Sequence, residues 1–278
     1  MNKGYINIAL ALLSVAGYMQ NIAFASNFSA TTNSSNEKGK QELPIDPEEA
    51  KQAANVMAEA LALAQKHAEH TNDYELYSSQ IEGSALHFKK VNNTDIGKLE
   101  FTIPNPDNYV DIVNMLWNPN NAKNFDDLFI KGSLSRIYNK NLVIIQQRYK
   151  GTIWTRYYNA LANKVELSED ETAIVYASSD MNNHDGVKGK EYVNPIVKSA
   201  NSFKPDIDSE EDIRDGKLYI MYINLVAFFI KKEDDCVKIT HINSVDMNFS
   251  PKAIDDLIKK MKADKILNIV KLRDIFKK

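Results

Sequence analysis

Hydrophobic positions are densest in the last quarter of the chain. Leu218 to Ile230, LYIMYINLVAFFI, is apolar on both alternating registers, with Tyr222 and Asn224 as polar members, and this predicts a central strand buried on both faces. After Glu233-Asp234-Asp235, the run Cys236 to Asn248 places Val237, Ile239, His241, Asn243 and Val245 on one face. Lys238, Thr240 and Ser244 fall on the other, the pattern of a half-exposed antiparallel partner. Ser250-Pro251 supplies an N-cap and a helix-compatible proline, and Asp255-Asp256 suits the positive end of a helix dipole. The predicted terminal helix carries Ile254, Leu257, Ile258, Met261, Ile266, Leu267, Ile269 and Val270 on one side and Lys259, Lys260, Lys262 and Lys265 over much of the rest. A break in phase falls at Ala263-Asp264.

Upstream, Asp46-Pro47-Glu48-Glu49 predicts a helix start with Asp46 and Glu49 as a capping-box pair. Ala50, Ala53, Ala54, Met57, Ala60, Leu61, Ala64 and Ala68 follow at helical spacing, a small-residue stripe suited to close packing. YELYSSQI, SALHFKKV and GKLEFTI, between Tyr74 and Ile103, read as an antiparallel meander. Pro104 to Asp107 breaks it, and a helix from near Asp107 carries Tyr109, Ile112, Val113, Leu116 and Trp117. A second helical piece is expected from Asn124 to Phe129. LVIIQQRY, TIWTRYYNA and ETAIVYASS are strand-like runs, followed by a polar loop from Asp180 to Lys190 and an expected edge strand within Glu191 to Pro205. Helix, strands, helix, strands, long helix, with no βαβ rhythm and no repeat, is the order of an α+β fold.

Composition changes this picture little: 278 residues, 44% hydrophobic and 26% charged, are ordinary for a globular chain. The net charge of −3 supplies no basic field for nucleic acid. With Cys236 as the sole cysteine, no intramolecular disulfide can form. Met1 to Ala25, with Lys3, an apolar segment from Ile6 to Met19 and Ala23-Phe24-Ala25, reads as a cleavable signal peptide. The chain thus divides into a signal peptide over 1–25, a flexible polar leader over 26–45 and one domain over 46–278.

Motifs for catalysis and metal binding are weak. His67 and His70 stand one helical turn apart with no third ligand nearby in sequence, and a solvated helix end explains them better than a metal. His184-Asp185-Gly186 lacks a nucleophile elbow, and neither Gly186 nor Gly189 belongs to a phosphate-binding fingerprint. No catalytic residue and no cofactor is assigned.

The segments VKITHINSVDMNFSPKAIDDLIKKM and WTRYYNALANKVELSEDETAIVYASS carry a resemblance. The first resembles the end of START lipid-transfer domains, and the two together look like the START-related fam-a proteins of rodent malaria parasites (Plasmodium), over roughly Ile45 to Lys278. The resemblance implies a helix-grip fold, a curved antiparallel sheet closed around the C-terminal helix. It also implies phospholipid binding and transfer, phosphatidylcholine above all, and secretion into the parasitophorous vacuole or onward to the host erythrocyte. The leader has no Arg-x-Leu export motif.

A carrier needs an apolar cavity, a few polar headgroup ligands and a segment that opens. The terminal helix is the candidate gate, with Ile254, Leu257, Ile258 and Met261 expected to line the cavity opposite Tyr222, Asn224, Ile239 and His241. Tyr149, Trp154, Tyr157, Tyr158 and Tyr176 are candidates for a choline cage, and Arg148 or Arg156 for the phosphate. The plainer reading is that these side chains pack a core or face solvent. Three functions stay open at this point: a monomeric phospholipid carrier that touches membranes transiently, a secreted or surface interaction protein that keeps the fold without transferring lipid, and a lipid-directed enzyme.

Overall fold

The computed structural model describes residues 46–70, 72–151, 154–187, 191–249 and 255–277. The signal peptide and the leader lie outside them, as does Ile254.

Helix α1 spans Pro47–Glu69 and α2 Tyr109–Trp117. Strands β1 (Glu75–Ser78), β2 (Ser84–Val91) and β3 (Thr94–Pro104) lie between them. After α2 come β4 (Phe129–Asn139), β5 (Leu142–Tyr149), β6 (Arg156–Ser168) and β7 (Glu171–Ala177), then a one-turn helix α3 (Glu211–Arg214). The chain closes with β8 (Tyr219–Ile220), β9 (Tyr222–Lys232), β10 (Cys236–Asp246), α4 (Asp255–Leu267), a 3-10 turn over Asn268–Lys271 and α5 (Leu272–Ile275). The strands form one sheet in the order β1-β2-β3-β10-β9-β7-β6-β5-β4, all antiparallel on this path, with β8 pairing parallel to β6.

Two cores occupy the two faces of this sheet. On the outer face α1 lays Ala50, Ala53, Val56, Met57, Ala60 and Ala64 against Ile144, Leu161, Val175, Ala227 and Ile242. Alanines at the contact let the helix approach closely, which is what the small-residue stripe predicts. On the inner face α2, α4 and α5 cover Leu99, Ile145, Tyr158, Ile174, Ile230 and Ile239. The sheet is therefore gripped between helices, and the last of them closes the inner side.

Several local expectations differ from the structure. Asp46 caps α1 by accepting from the Glu48 amide at 2.9 Å, but no capping box forms, because the Glu49 carboxylate turns to Arg136 and Tyr138 on β4. The second helical piece is a 3-10 turn at Asn121–Asn124, and Phe129 already begins β4. The edge strand expected between Glu191 and Pro205 is absent. Side chains take up part of this backbone's hydrogen-bonding capacity: Asn194 accepts from the Ile196 and Val197 amides at 3.0 and 2.9 Å, and Glu59 of α1 accepts from the Lys198 and Ser199 amides. β10 is not half-exposed either, since Thr240, Ile242 and Ser244 are buried on the face that α1 covers.

Candidate functional site

Between the inner face of the sheet, α2 with the turn that follows it, and the end of α4 lies a cavity of about 110 Å³. Its walls come from alternate positions of neighbouring strands. Gln147 and Tyr149 of β5, Tyr158 of β6, Tyr176 of β7, Val226 and Phe228 of β9, and His241, Asn243 and Val245 of β10 all point inward. Met115 and Leu116 of α2 and Asp126 form the near wall, and Lys265, Asn268 and Ile269 close the cavity from the C-terminal segment.

The polar groups are mostly committed to one another. Gln147 accepts through Oε1 from the hydroxyls of Tyr149, at 2.8 Å, and Tyr158, while its Nε2 donates to the Pro119 carbonyl at 2.6 Å. The Tyr176 hydroxyl donates to the Leu116 carbonyl at 3.1 Å. Burial pushes all three phenols well above their ordinary range, so they remain neutral donors. At the other side His241 Nδ1 donates to the Ala227 carbonyl at 3.0 Å, and its Nε2 meets the Asn243 amide at 3.3 Å. Burial pushes this imidazole down to about 4, so it is neutral at pH 7.

Among the described residues one cation, Lys265, enters the cavity. Lys265 Nζ lies 3.4 Å from the centroid of the Tyr149 ring and 3.2 Å from Asp126 Oδ2. Burial lowers its pKa, and the Asp126 carboxylate opposes that shift. Asp126 Oδ1 accepts the Leu128 amide at 3.0 Å, which holds the carboxylate in place.

The structure brings together Tyr149, Tyr158, Tyr176 and His241 on this cavity and sends the other expected residues among those described elsewhere. Trp154 is 52% exposed and packs against Tyr219 with ring centroids 5.4 Å apart. Tyr157 points to the outer side and donates to Asp185 at 2.6 Å. Arg148 is buried on the outer side against Asp212 and Glu210. Arg156 donates to the Met247 carbonyl and covers the Phe249 ring, at 4.6 Å from its centroid. Ile239 is a core residue of the inner face that does not line the cavity.

Tyr222 and Asn224 are corrections with a definite cause. Counting back by twos from Phe228 puts both inward, but the β9–β10 register shifts between Ser244 and Val245, so Asn224 is bulged out of the ladder. Inward positions then run Phe228, Val226, Ile223, Met221. Asn224 accepts from the Tyr192 hydroxyl at 2.8 Å, and Tyr222 stacks on Tyr192 with centroids 3.9 Å apart, both away from the cavity.

The gate face is corrected too. Leu257 is 56% and Met261 37% exposed, Ile258 is half-buried, and none of them lines the cavity. The sheet side of α4 is Ala263 and Ile266, preceded by lysines rather than by apolar residues. Lys259 lies over Phe88, 5.3 Å from the ring centroid, and Lys262 pairs with Asp95 at 3.4 Å. Lysine stems thus cover apolar surface that sequence patterning gives to Leu257 and Met261. Sequence patterning offers no sign of Lys265 and Asp126 as partners, because 139 residues separate them.

A second crevice of about 350 Å³ runs along the outer face beside Gln65, Glu69, Glu100, Glu171, Lys231 and Lys238. It is wider, but its charged lining suits solvent better than an apolar ligand.

This architecture is a START-like helix-grip fold. No family model matches the sequence, and no curated protein matches it. The chain is similar in structure to the human StAR-related lipid transfer protein 5, with a TM-score of 0.58, 8% identity and coverage of 82% of this chain and 98% of that one. It is also similar to human STARD10 (TM-score 0.52, 13% identity, 82% and 80% covered). The lipid transfer and protein localization domain of human StarD13 follows with a TM-score of 0.51, 14% identity and 78% and 95% covered. At these identities the likeness is one of fold.

Proposed function

We propose that this protein is a non-enzymatic lipid carrier that holds a phospholipid between the sheet and its C-terminal helical segment and moves it between membranes. The reading is supported above all by one observation: an internal cavity walled by Tyr149, Tyr158, Tyr176, Phe228 and His241 and closed by the segment around Lys265. Phosphatidylcholine as the favoured lipid, membership of the fam-a group, secretion through the Met1–Ala25 segment and action as a monomer belong to the same proposal, and rest on the resemblance and the sequence pattern. In the closed state the cavity, at about 110 Å³, is well below the roughly 300 Å³ at which ligand pockets begin. Acyl chains therefore enter only when α4 and the turn after it move off the sheet.

The same small volume favours a second reading, an interaction protein that kept the fold and filled the cavity with side chains. Native mass spectrometry after incubation with mixed phospholipid vesicles separates the two. A one-to-one adduct of intact phospholipid supports the carrier, and a folded protein that stays bare supports the interaction protein. Chemically altered lipid would instead indicate an enzyme.

A further inference from the structure

Helix α1 ends at Glu69, before the sheet beneath it does, and the outer-face crevice of about 350 Å³ opens at that end. Its floor is a patch of the strand ladder. Phe229 and Thr240 are direct partners on β9 and β10, and two residues further along Glu171, Lys231 and Lys238 stand side by side on β7, β9 and β10. The volume falls within the roughly 300–1,000 Å³ of small-molecule pockets, and the charged lining calls for a polar ligand. Part of that charge is matched internally. Glu100 lies 3.8 Å from Lys98 and 3.7 Å from Lys238, and the Lys98 ammonium donates to the Ala68 carbonyl at 2.6 Å. Among the described residues, Glu69, Glu171, Glu233 and Lys231 stand on the crevice without an ion pair. Thr240 is an independent sign of a ligand: it is 9% exposed and lines the crevice, yet its hydroxyl makes no hydrogen bond to any described residue. A buried hydroxyl left without a partner is costly. Among the described residues no acids and histidines group closely enough to hold a metal ion, so the complement to these charges is a polyatomic molecule.

We propose that this crevice is a second binding site, on the opposite face of the sheet from the inner cavity, for a small molecule with one carboxylate and two cationic groups, the class of the free basic amino acids. The inference stands apart from the carrier reading. The ligand carboxylate meets Lys231 and accepts from the hydroxyl of Thr240, its diagonal neighbour across β9 and β10. The two cationic groups meet Glu69 on α1 and either Glu171 on β7 or Glu233 in the turn between β9 and β10. All but one of the unmatched groups then have a partner. A diamine of the same length satisfies the carboxylates but leaves Lys231 and Thr240 unanswered. An acidic amino acid brings two negative charges among carboxylates that already outnumber the free ammonium, and like charges disfavour one another.

The test titrates the full chain with L-lysine, with cadaverine, which lacks only the carboxylate, and with L-glutamate, at constant ionic strength, and follows backbone amide shifts by NMR. Solvent-facing charge pairs are individually weak, so the Kd expected for L-lysine is about 1 mM. Saturable shifts should centre on Gln65 to Glu69, Phe229 to Lys231 and Lys238 to Thr240, and L-lysine should bind at least about tenfold more tightly than cadaverine or L-glutamate. Lys231→Met should bring L-lysine down to the level of cadaverine while leaving cadaverine unchanged. Thr240→Val keeps the side-chain shape without the hydroxyl and should weaken L-lysine alone. Glu171→Gln combined with Glu233→Gln should weaken both amines. Lys231, Glu171 and Glu233 reach solvent, so their variants should fold. The inference is overturned by the absence of a saturable shift with L-lysine, by shifts centred elsewhere, by equal affinity for cadaverine or L-glutamate, or by a Lys231→Met protein that keeps the wild-type margin. Each of those results leaves the carrier reading standing, because that reading concerns the other face of the sheet.

Discussion

His241 of β10 stacks flat on Phe228 of β9, with ring centroids 4.2 Å apart and planes within 5° of each other. The two residues are direct cross-strand partners, so the stack sits on the inward face of the central pair of strands. Its Nδ1 donates to a carbonyl and its Nε2 accepts from Asn243, an arrangement that needs the neutral ring.

That neutrality gives a pH dependence. The imidazole titrates near 6.5 in the unfolded chain and at about 4 in the fold, so between these values the unfolded state binds a proton that the folded state refuses. Stability is full above pH 6.5 and falls as the pH drops toward 4, by roughly 3 kcal/mol over the whole window from this group. His241→Phe keeps an aromatic stack and removes the titration. Its melting temperature should vary less than that of wild type between pH 7 and pH 4.5. His67, also pushed down to about 4 by burial, remains in both proteins, so their difference isolates His241.

Gly97 of β3 sets how close α4 can lie. A Cβ built there would stand 2.5 Å from Cδ1 of Ile266 and 3.1 Å from Cε1 of Phe88. Gly97→Val should overpack this contact and destabilise by about 1–3 kcal/mol in urea denaturation. Amide exchange at Ala263 to Val270 should quicken with it, and unchanged exchange would mean that the contact does not hold α4.

Leu257 and Ile266 lie on the same helix with opposite consequences. Leu257→Arg places its charge in solvent and should change stability by no more than about 0.5 kcal/mol. Ile266→Ala removes buried methyl groups from the sheet contact and should cost about 2–5 kcal/mol. Thermal melts of the two variants check the assigned helix face, and the reverse order would put the apolar stripe of the sequence back against the sheet.

Arg273 ties α5 to β3 and to the turn before β2, donating to the carbonyls of Thr102, Glu82 and Gly83 at 2.8, 2.5 and 2.5 Å. Its guanidinium also lies over the Phe101 ring. Arg273→Ala should free α5 at a cost of about 1–2 kcal/mol, less than the sum of three charged hydrogen bonds because the site is partly solvated. The expected sign is faster amide exchange from Leu272 to Phe276, while the β5–β6 amides stay protected.

The sequence by itself determined most of the elements, the strand expected within Glu191 to Pro205 and the helical piece at Asn124 to Phe129 being the exceptions. The strand-like runs LVIIQQRY and SALHFKKV mark β5 and β2 with their observed ends, and the alanine stripe predicts a closely packed helix, which α1 is. The inward set Val237, Ile239, His241, Asn243 and Val245 of β10 was equally legible, because a regular strand has a period of two. What only the tertiary structure decided is where that period breaks and which distant charges meet. The bulge at Asn224 turns Tyr222 and Asn224 to the outer face, and it exists only as a register mismatch between two strands. The contact surface of α4 depends on Phe88 and Asp95 of the strands beneath it, which accept lysine stems and charges in place of Leu257 and Met261. Lys265, Asp126 and Tyr149 form one cluster because the ends of a helix and of a strand converge on a turn. Local patterning records the face of each element, but the pairing of faces is a long-range property that appears only when the chain is folded.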